Sequence, residues 1–163
     1  TANLAQFAAD PSLASQCFVT SEPISLALKG VKTRVFMFSD AGFDPYTAVV
    51  VTRREFFEKN RDLCARFVRA SAIGWRAYLN DPAATNALMN KLNPAMSVDA
   101  MKLACDAQMK LIADDESKRM GLGGMRYARW DEIASQMAEI GKIKAKPDAQ
   151  TLFFWDSEAG TAR

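Results

Sequence analysis

Apolar positions change period along this chain. At residues 17–19 (CFV), 31–38 (VKTRVFMF) and 46–52 (YTAVVVT) they form short, β-branched or aromatic runs, which predict strands. The run at 46–52 is continuously apolar around its three valines, the pattern of a central strand covered on both faces. From Arg53 onward the period lengthens to three and four. Leu63, Cys64, Phe67, Val68, Trp75, Tyr78 and Leu79 predict a long helix over 61–79. Met101, Ala104, Cys105 and Ile112 predict another over 98–112, and Trp130, Ile133, Met137 and Ile140 a last one over 127–140.

Punctuation supports these boundaries. Residues 3–9 are expected helical, Asp10-Pro11 caps a short turn over 12–16, and Thr20 or Ser21 caps a helix with Pro23 in its first turn, ending at Gly30. Asn60 is expected to cap the long helix, and Ser97 the helix at 98–112. Asp81-Pro82 restarts a helix that Asn93-Pro94 breaks near Leu92. Residues 118–125, with Gly121, Gly123 and Gly124, read as a mobile surface loop. Residues 142–163 read as an irregular tail whose Leu152-Phe153-Phe154-Trp155 patch wants a partner surface. The order is α-β-α-β-β followed by four or five helices, an α/β class with a thin sheet.

Composition narrows the chemistry. The 163 residues suffice for one domain, with 49% apolar and 25% charged residues. The net charge of +2, spread over scattered Lys and Arg, does not point to nucleic acid. No apolar run is long enough to span a membrane. No signal peptide is read, and the chain starts at Thr1, as a processed chain or a piece of something longer would. Histidine is absent, which removes the commonest general base and nitrogen metal ligand from these residues. Cys17, Cys64 and Cys105 are far apart without metal spacing and read as buried thiols. The run Asp114-Asp115-Glu116 lacks calcium-loop spacing and reads as a solvated helix end. Methionines and tryptophans on the helices read as core.

Two segments carry candidate chemistry. Thr20-Ser21-Glu22-Pro23 follows one expected strand and opens a helix. Its hydroxyls and free N–H groups suit an anionic or polar group, and Glu22 can accept from an amine or imide. The same residues equally suit a plain cap whose acid complements the helix dipole. Asp40, Gly42, Phe43, Asp44, Pro45 and Tyr46 join two expected strands. Phe43 and Tyr46 could stack on a flat ligand while the aspartates take donors, or the segment is a turn with one buried aromatic.

The residues QCFVTSEP (16–23), Gly30, DAGFDPYTAVVVTR (40–53), FVRASAIGWRAYLNDP (67–82), KLNP (91–94) and GGM followed by Trp130 together resemble the C-terminal half of a periplasmic solute-binding protein of an ABC importer. The group binds thiamine pyrimidine precursors, riboflavin, nitrate, sulfonates or taurine. The resemblance implies a two-lobed type II periplasmic binding fold, helix-rich here, with short strands and the N-terminal half missing. Residues 1–40 would end the second lobe, 41–52 would form the crossover and return strand, and 53–163 would be helices wrapping the first lobe. It implies Thr20, Ser21 and Glu22 as solute-facing and Asp40, Gly42, Phe43, Asp44 and Tyr46 as crossover and cleft wall. No catalytic residue, metal or cofactor is expected. Expected partners are a small-molecule solute, an inner-membrane ABC permease, and the missing half of the same protein or a second chain. The expected compartment is the periplasm. The alternatives are an enzyme like those that make the thiamine pyrimidine, or a ligand-sensing domain on the same scaffold.

Overall fold

The computed structural model describes residues 4–155. Eight α-helices form among them: α1 (Leu4–Ala9), α2 (Glu22–Leu28), α3 (Arg54–Lys59), α4 (Arg61–Asn80), α5 (Ala83–Leu92), α6 (Val98–Ile112), α7 (Asp115–Met120) and α8 (Tyr127–Glu139). Two 3-10 turns, Phe38–Ala41 and Ala149–Thr151, complete the regular structure. The helix expected over 3–9 forms as α1; residue 3 and the tail beyond residue 155 lie outside the described residues.

No β-strand forms among the described residues. Residues 13–18 and 31–37 run without helix or turn, and 43–53 does so apart from a bend at Ala48. This corrects the expected sheet. A strand exists only through its ladder, because its N–H and C=O groups point sideways to a neighbour. The β-branched composition is present here, but no segment supplies the neighbour. The corner at 20–23 therefore opens α2 without a sheet edge beside it.

The chain divides into two compact units, Thr1–Phe36 with Arg76–Asp114, and Met37–Trp75 with Asp115–Arg163. In the first, α5 and α2 pack on α6, and α1 on α2. Leu26, Leu79, Met101 and Cys105 are buried there. Asn86, also buried, accepts a 3.0 Å hydrogen bond from the Tyr78 hydroxyl, which meets the cost of burying an amide. In the second unit, α8 packs on the 149–151 turn, with Ala134 and Ala149 buried. The apolar patch near residue 155 finds partners within this unit. Phe153 stacks on Trp130 at 5.9 Å and Phe154 lies 4.9 Å from Phe57.

Several caps differ from expectation. Ser97 caps α6 as expected, its Oγ accepting from the Ala100 amide at 3.3 Å. Asn60 does not cap α4 forward. Its side-chain amide donates back to the Phe56 carbonyl at 2.8 Å and closes α3. Ser21 stands at the N-cap of α2 without a side-chain bond. Residues 118–120, expected in a loop, complete α7, and the glycine turn begins only at Gly121. Gly124 is needed there for close approach, since a Cβ would lie 2.6 Å from the Met120 Cβ.

The apolar stripe of α4 is only half used. Leu63, Phe67 and Trp75 remain exposed, against the expectation that they form core. The cysteines separate likewise. All three are free, Cys105 is buried, Cys64 intermediate and Cys17 exposed. Periodicity marks a face as apolar, but a partner element must exist to cover it.

Ser97→Ala should lower stability by about 1 kcal/mol, the usual cost of losing an N-cap acceptor. Chemical denaturation read by circular dichroism would show it as a lower midpoint at unchanged slope.

Candidate functional site

The candidate residues fall in both units, so each group is described within its own. In the first unit the chain turns at Val19-Thr20 before α2, with the Ser21 amide donating to the Phe18 carbonyl at 2.9 Å. Glu22, the first residue of α2, accepts from the Phe18 amide through Oε2 at 2.9 Å. That bond ties the carboxylate back over the preceding chain and orients it. Among the described residues, the Thr20 and Ser21 hydroxyls make no hydrogen bond, and Ser21 is exposed. Local desolvation, and after it the Glu22 carboxylate, push the Cys17 thiol above its ordinary value although the residue as a whole is exposed. The corner thus presents two free hydroxyls and one oriented acid.

In the second unit, residues 42–46 run against α8 and are held there by bonds to the chain's own groups. Gly42, in the left-handed region at φ 84°, ends the 38–41 turn, a conformation that suits a residue without a Cβ. Its carbonyl accepts from the Gln136 side chain at 2.9 Å. Arg129 reaches across with Nε to the Asp44 carbonyl at 2.6 Å and Nη2 to the Asp44 carboxylate at 2.7 Å. The same guanidinium lies over the Tyr46 ring, 4.3 Å from its centroid. Trp130 packs on the other part of Tyr46, with ring centroids 5.9 Å apart.

The Tyr46 hydroxyl is the centre of this arrangement. It donates to Glu116 Oε1 at 2.6 Å and accepts from the Arg126 amide at 2.9 Å. Glu116 Oε2 meets the Arg126 Nε at 2.6 Å. Burial, then the bond to Glu116, raise the Tyr46 phenol above its ordinary value. Glu116 itself is only 8% exposed. The sequence reading placed it in a solvated run. Its role was missed because three consecutive acids look like surface, and only the helical phase of α7 turns the third one inward. A shallow open groove of about 230 Å³ runs along this seam, lined by Gly42, Asp44, Arg126, Arg129, Glu132 and Gln136. The structure therefore brings Gly42, Asp44 and Tyr46 together on α8. Asp40 and Phe43 lie on the exposed side of the same turn, Phe43 edge-on to Phe38 at 6.4 Å. Among the described residues, no group of three His, Cys, Asp or Glu side chains could hold a metal. No helix there is long and apolar enough to cross a membrane.

Residues 5–85 match the family model described as NMT1/THI5 like. The matched span, just under half of the chain, is thus similar to a family of periplasmic solute-binding proteins of ABC importers for nitrate, sulfonates and thiamine precursors. The resemblance noted in the sequence is met by this finding. The matched span contains both candidate segments, 20–22 and 40–46, but neither α7 nor α8. No curated protein and no solved structure matches the chain.

Removing the Glu116 carboxylate should be costly, because it leaves a partly buried phenol and a guanidinium without their acceptor. Glu116→Ala should destabilise the protein by about 1–3 kcal/mol, whereas Asp115→Ala, at an exposed position, should change little. Thermal melts of both variants would decide it.

The phenol adds a pH signature. Its folded-state value is raised, so its contribution is fully present below the ordinary tyrosine range, near pH 10, and is lost as pH rises through the higher folded value. Ultraviolet titration should show one tyrosine ionising later in wild type than in Glu116→Ala. Coincident titration curves would contradict the bond.

Proposed function

We propose that this chain is part of an extracytoplasmic solute-binding component of an ABC importer, capturing a small polar or heteroaromatic molecule and performing no chemistry on it. The observation that carries the reading is the NMT1/THI5-like match over residues 5–85, which spans the oriented Glu22 corner and the 40–46 segment. In this reading Thr20, Ser21 and Glu22 face the solute. Two hydroxyls that donate or accept, beside a carboxylate that only accepts, fit a flat heterocycle carrying amine or imide donors. Asp40 and Phe43 are the outward groups of the 40–46 segment, in the other unit. Gly42, Asp44 and Tyr46 act as crossover and hold it against α8, since their polar groups are engaged by Gln136, Arg129, Glu116 and Arg126.

The mechanism that follows is population shift. A solute that touches two lobes favours their closed arrangement by its extra contacts there, and the permease reads the closed state. The lobe assignment of residues 1–40, 41–52 and 53–163, the periplasmic compartment and the permease all belong to this proposal. So does a complementary polypeptide, either the rest of the same protein or a second chain. The absence of histidine supports binding over catalysis within these residues.

Calorimetric titration of the protein from its native source, against a thiamine pyrimidine, riboflavin, nitrate and taurine, tests the reading. One of them should bind saturably at micromolar concentration or below and be recovered unchanged. For a heterocyclic ligand, Glu22→Gln should weaken binding about tenfold, ~1.4 kcal/mol. Failure of all four to bind, or recovery of a chemically altered ligand, would sink the proposal. Unchanged affinity in Glu22→Gln would remove Glu22 from the site.

A further inference from the structure

Residues 146–154 run over α8 and α3 of the second unit, and their two ends are held by different forces. The root is held by polar bonds and burial. Lys146 pairs with Asp131 of α8 at 2.7 Å. Asp148 caps the 149–151 turn, accepting from the Gln150 amide at 2.9 Å, and Ala149 is fully buried in that turn, which packs on α8. Arg54, the first residue of α3, donates from Nη2 to the Thr151 carbonyl at 3.4 Å. The far end is held by rings. Phe153 lies 5.9 Å from Trp130 with their planes 10° from parallel, and Phe154 lies 4.9 Å from Phe57 of α3. Among the described residues, no hydrogen bond holds residues 153–155. Phe154 is 44% exposed even in this position. Ring pairs of this kind add modestly to the burial of their area.

Trp130 links the ring end to the 40–46 segment. Its ring also meets Tyr46, with centroids 5.9 Å apart. Its indole N–H is buried without an acceptor, a cost that the packing around it must offset. A state in which water reaches that N–H is free of the cost, so the closed position of the rings has a competitor.

We propose that residues 146–154 are a releasable strap, rooted at the 149–151 turn, whose ring end seats Trp130 and through it holds Tyr46 in the Glu116–Arg126 network. With Phe153 in place, Trp130 packs against Tyr46, and the phenol hydroxyl stays between Glu116 and the Arg126 amide. With the rings withdrawn, Trp130 gains room to meet water, Tyr46 loses the support of its ring neighbour, and its hydroxyl bonds open more often. Arg129 and Gln136 still tie Asp44 and Gly42 to α8, so the release is local to Tyr46. The sequence of contacts runs from Phe57 through Phe154, Phe153 and Trp130 to Tyr46, all within the second unit. The inference stands on these contacts and not on the solute-binding reading. Its test involves no solute, so the two fail separately.

Residue-resolved hydrogen exchange of the Arg126 amide in the intact protein tests it, because that N–H donates to the Tyr46 hydroxyl. Tyr46→Phe, which removes the acceptor and keeps the ring, sets the rate of a full release. Phe153→Ala should accelerate the Arg126 amide about tenfold towards that rate and expose the Trp130 indole N–H to exchange as well. Phe153→Tyr, which keeps a ring, should restore both. The Ala134 amide, inside α8, should keep its wild-type rate throughout. In the wild-type protein, low urea should raise the Arg126 and Trp130 rates in parallel and less steeply than the Ala134 rate, since release exposes less surface than unfolding. Equal acceleration at Ala134 would reduce Phe153 to a general packing residue and overturn the proposal. An Arg126 amide that Phe153→Ala leaves unchanged, or unrelated urea responses of Arg126 and Trp130, would overturn it too.

Discussion

The second unit depends on one buried carboxylate. Glu116 holds the Tyr46 hydroxyl with one oxygen and the Arg126 guanidinium with the other, and Arg126 returns its backbone amide to the same hydroxyl. The loop is closed, so both Glu116 oxygens and the Tyr46 hydroxyl are engaged. That matters because the acid would be expensive to bury alone and is supported only when both oxygens are used. The arrangement also joins three places distant in sequence: the segment before the valine run, α7, and the start of α8. Arg129 adds a second tie from α8, and its stacking on Tyr46 makes the two ties share one ring.

This anchoring separates two kinds of residue within the 40–46 segment. Those whose groups are consumed internally, Gly42, Asp44 and Tyr46, shape the segment. Those left outward, Asp40 and Phe43, are free to meet something else. The Glu22 corner has the opposite economy. Only one bond, from the Phe18 amide, orients its acid, and the neighbouring hydroxyls remain unengaged. A solute-binding wall needs such unengaged groups held in a defined direction, since groups already satisfied gain little from a ligand.

The open valine run and the thinly covered face of α4 have a common cause. Both are apolar surfaces made by local sequence, and neither has its covering element among the described residues. The apolar tail at 152–155 shows the contrast. It looked equally in need of a partner, yet Trp130 and Phe57 cover part of it from within the unit.

Much of the helical framework was legible. The three-and-four spacing of α4, α6 and α8, the Ser97 cap, and the breaks at Asp81-Pro82 and Asn93-Pro94 are local signals, set by neighbours within one turn, and they appear where expected. The 40–46 turn and the 20–22 corner were also legible as loci, through proline, glycine and hydroxyl residues that act on their own backbone. What could not be read was everything that needs a distant partner. A strand is completed by a ladder that sequence composition cannot supply, so 31–37 and 46–52 kept their β-rich character without becoming strands. The inward turn of Glu116, the capture of Tyr46 and the exposure of Cys17 depend on which surfaces meet. Local sequence determined the elements and their ends because those interactions span four residues or fewer. Tertiary structure alone decided which acid is buried and which apolar face stays open, because burial belongs to pairs of elements.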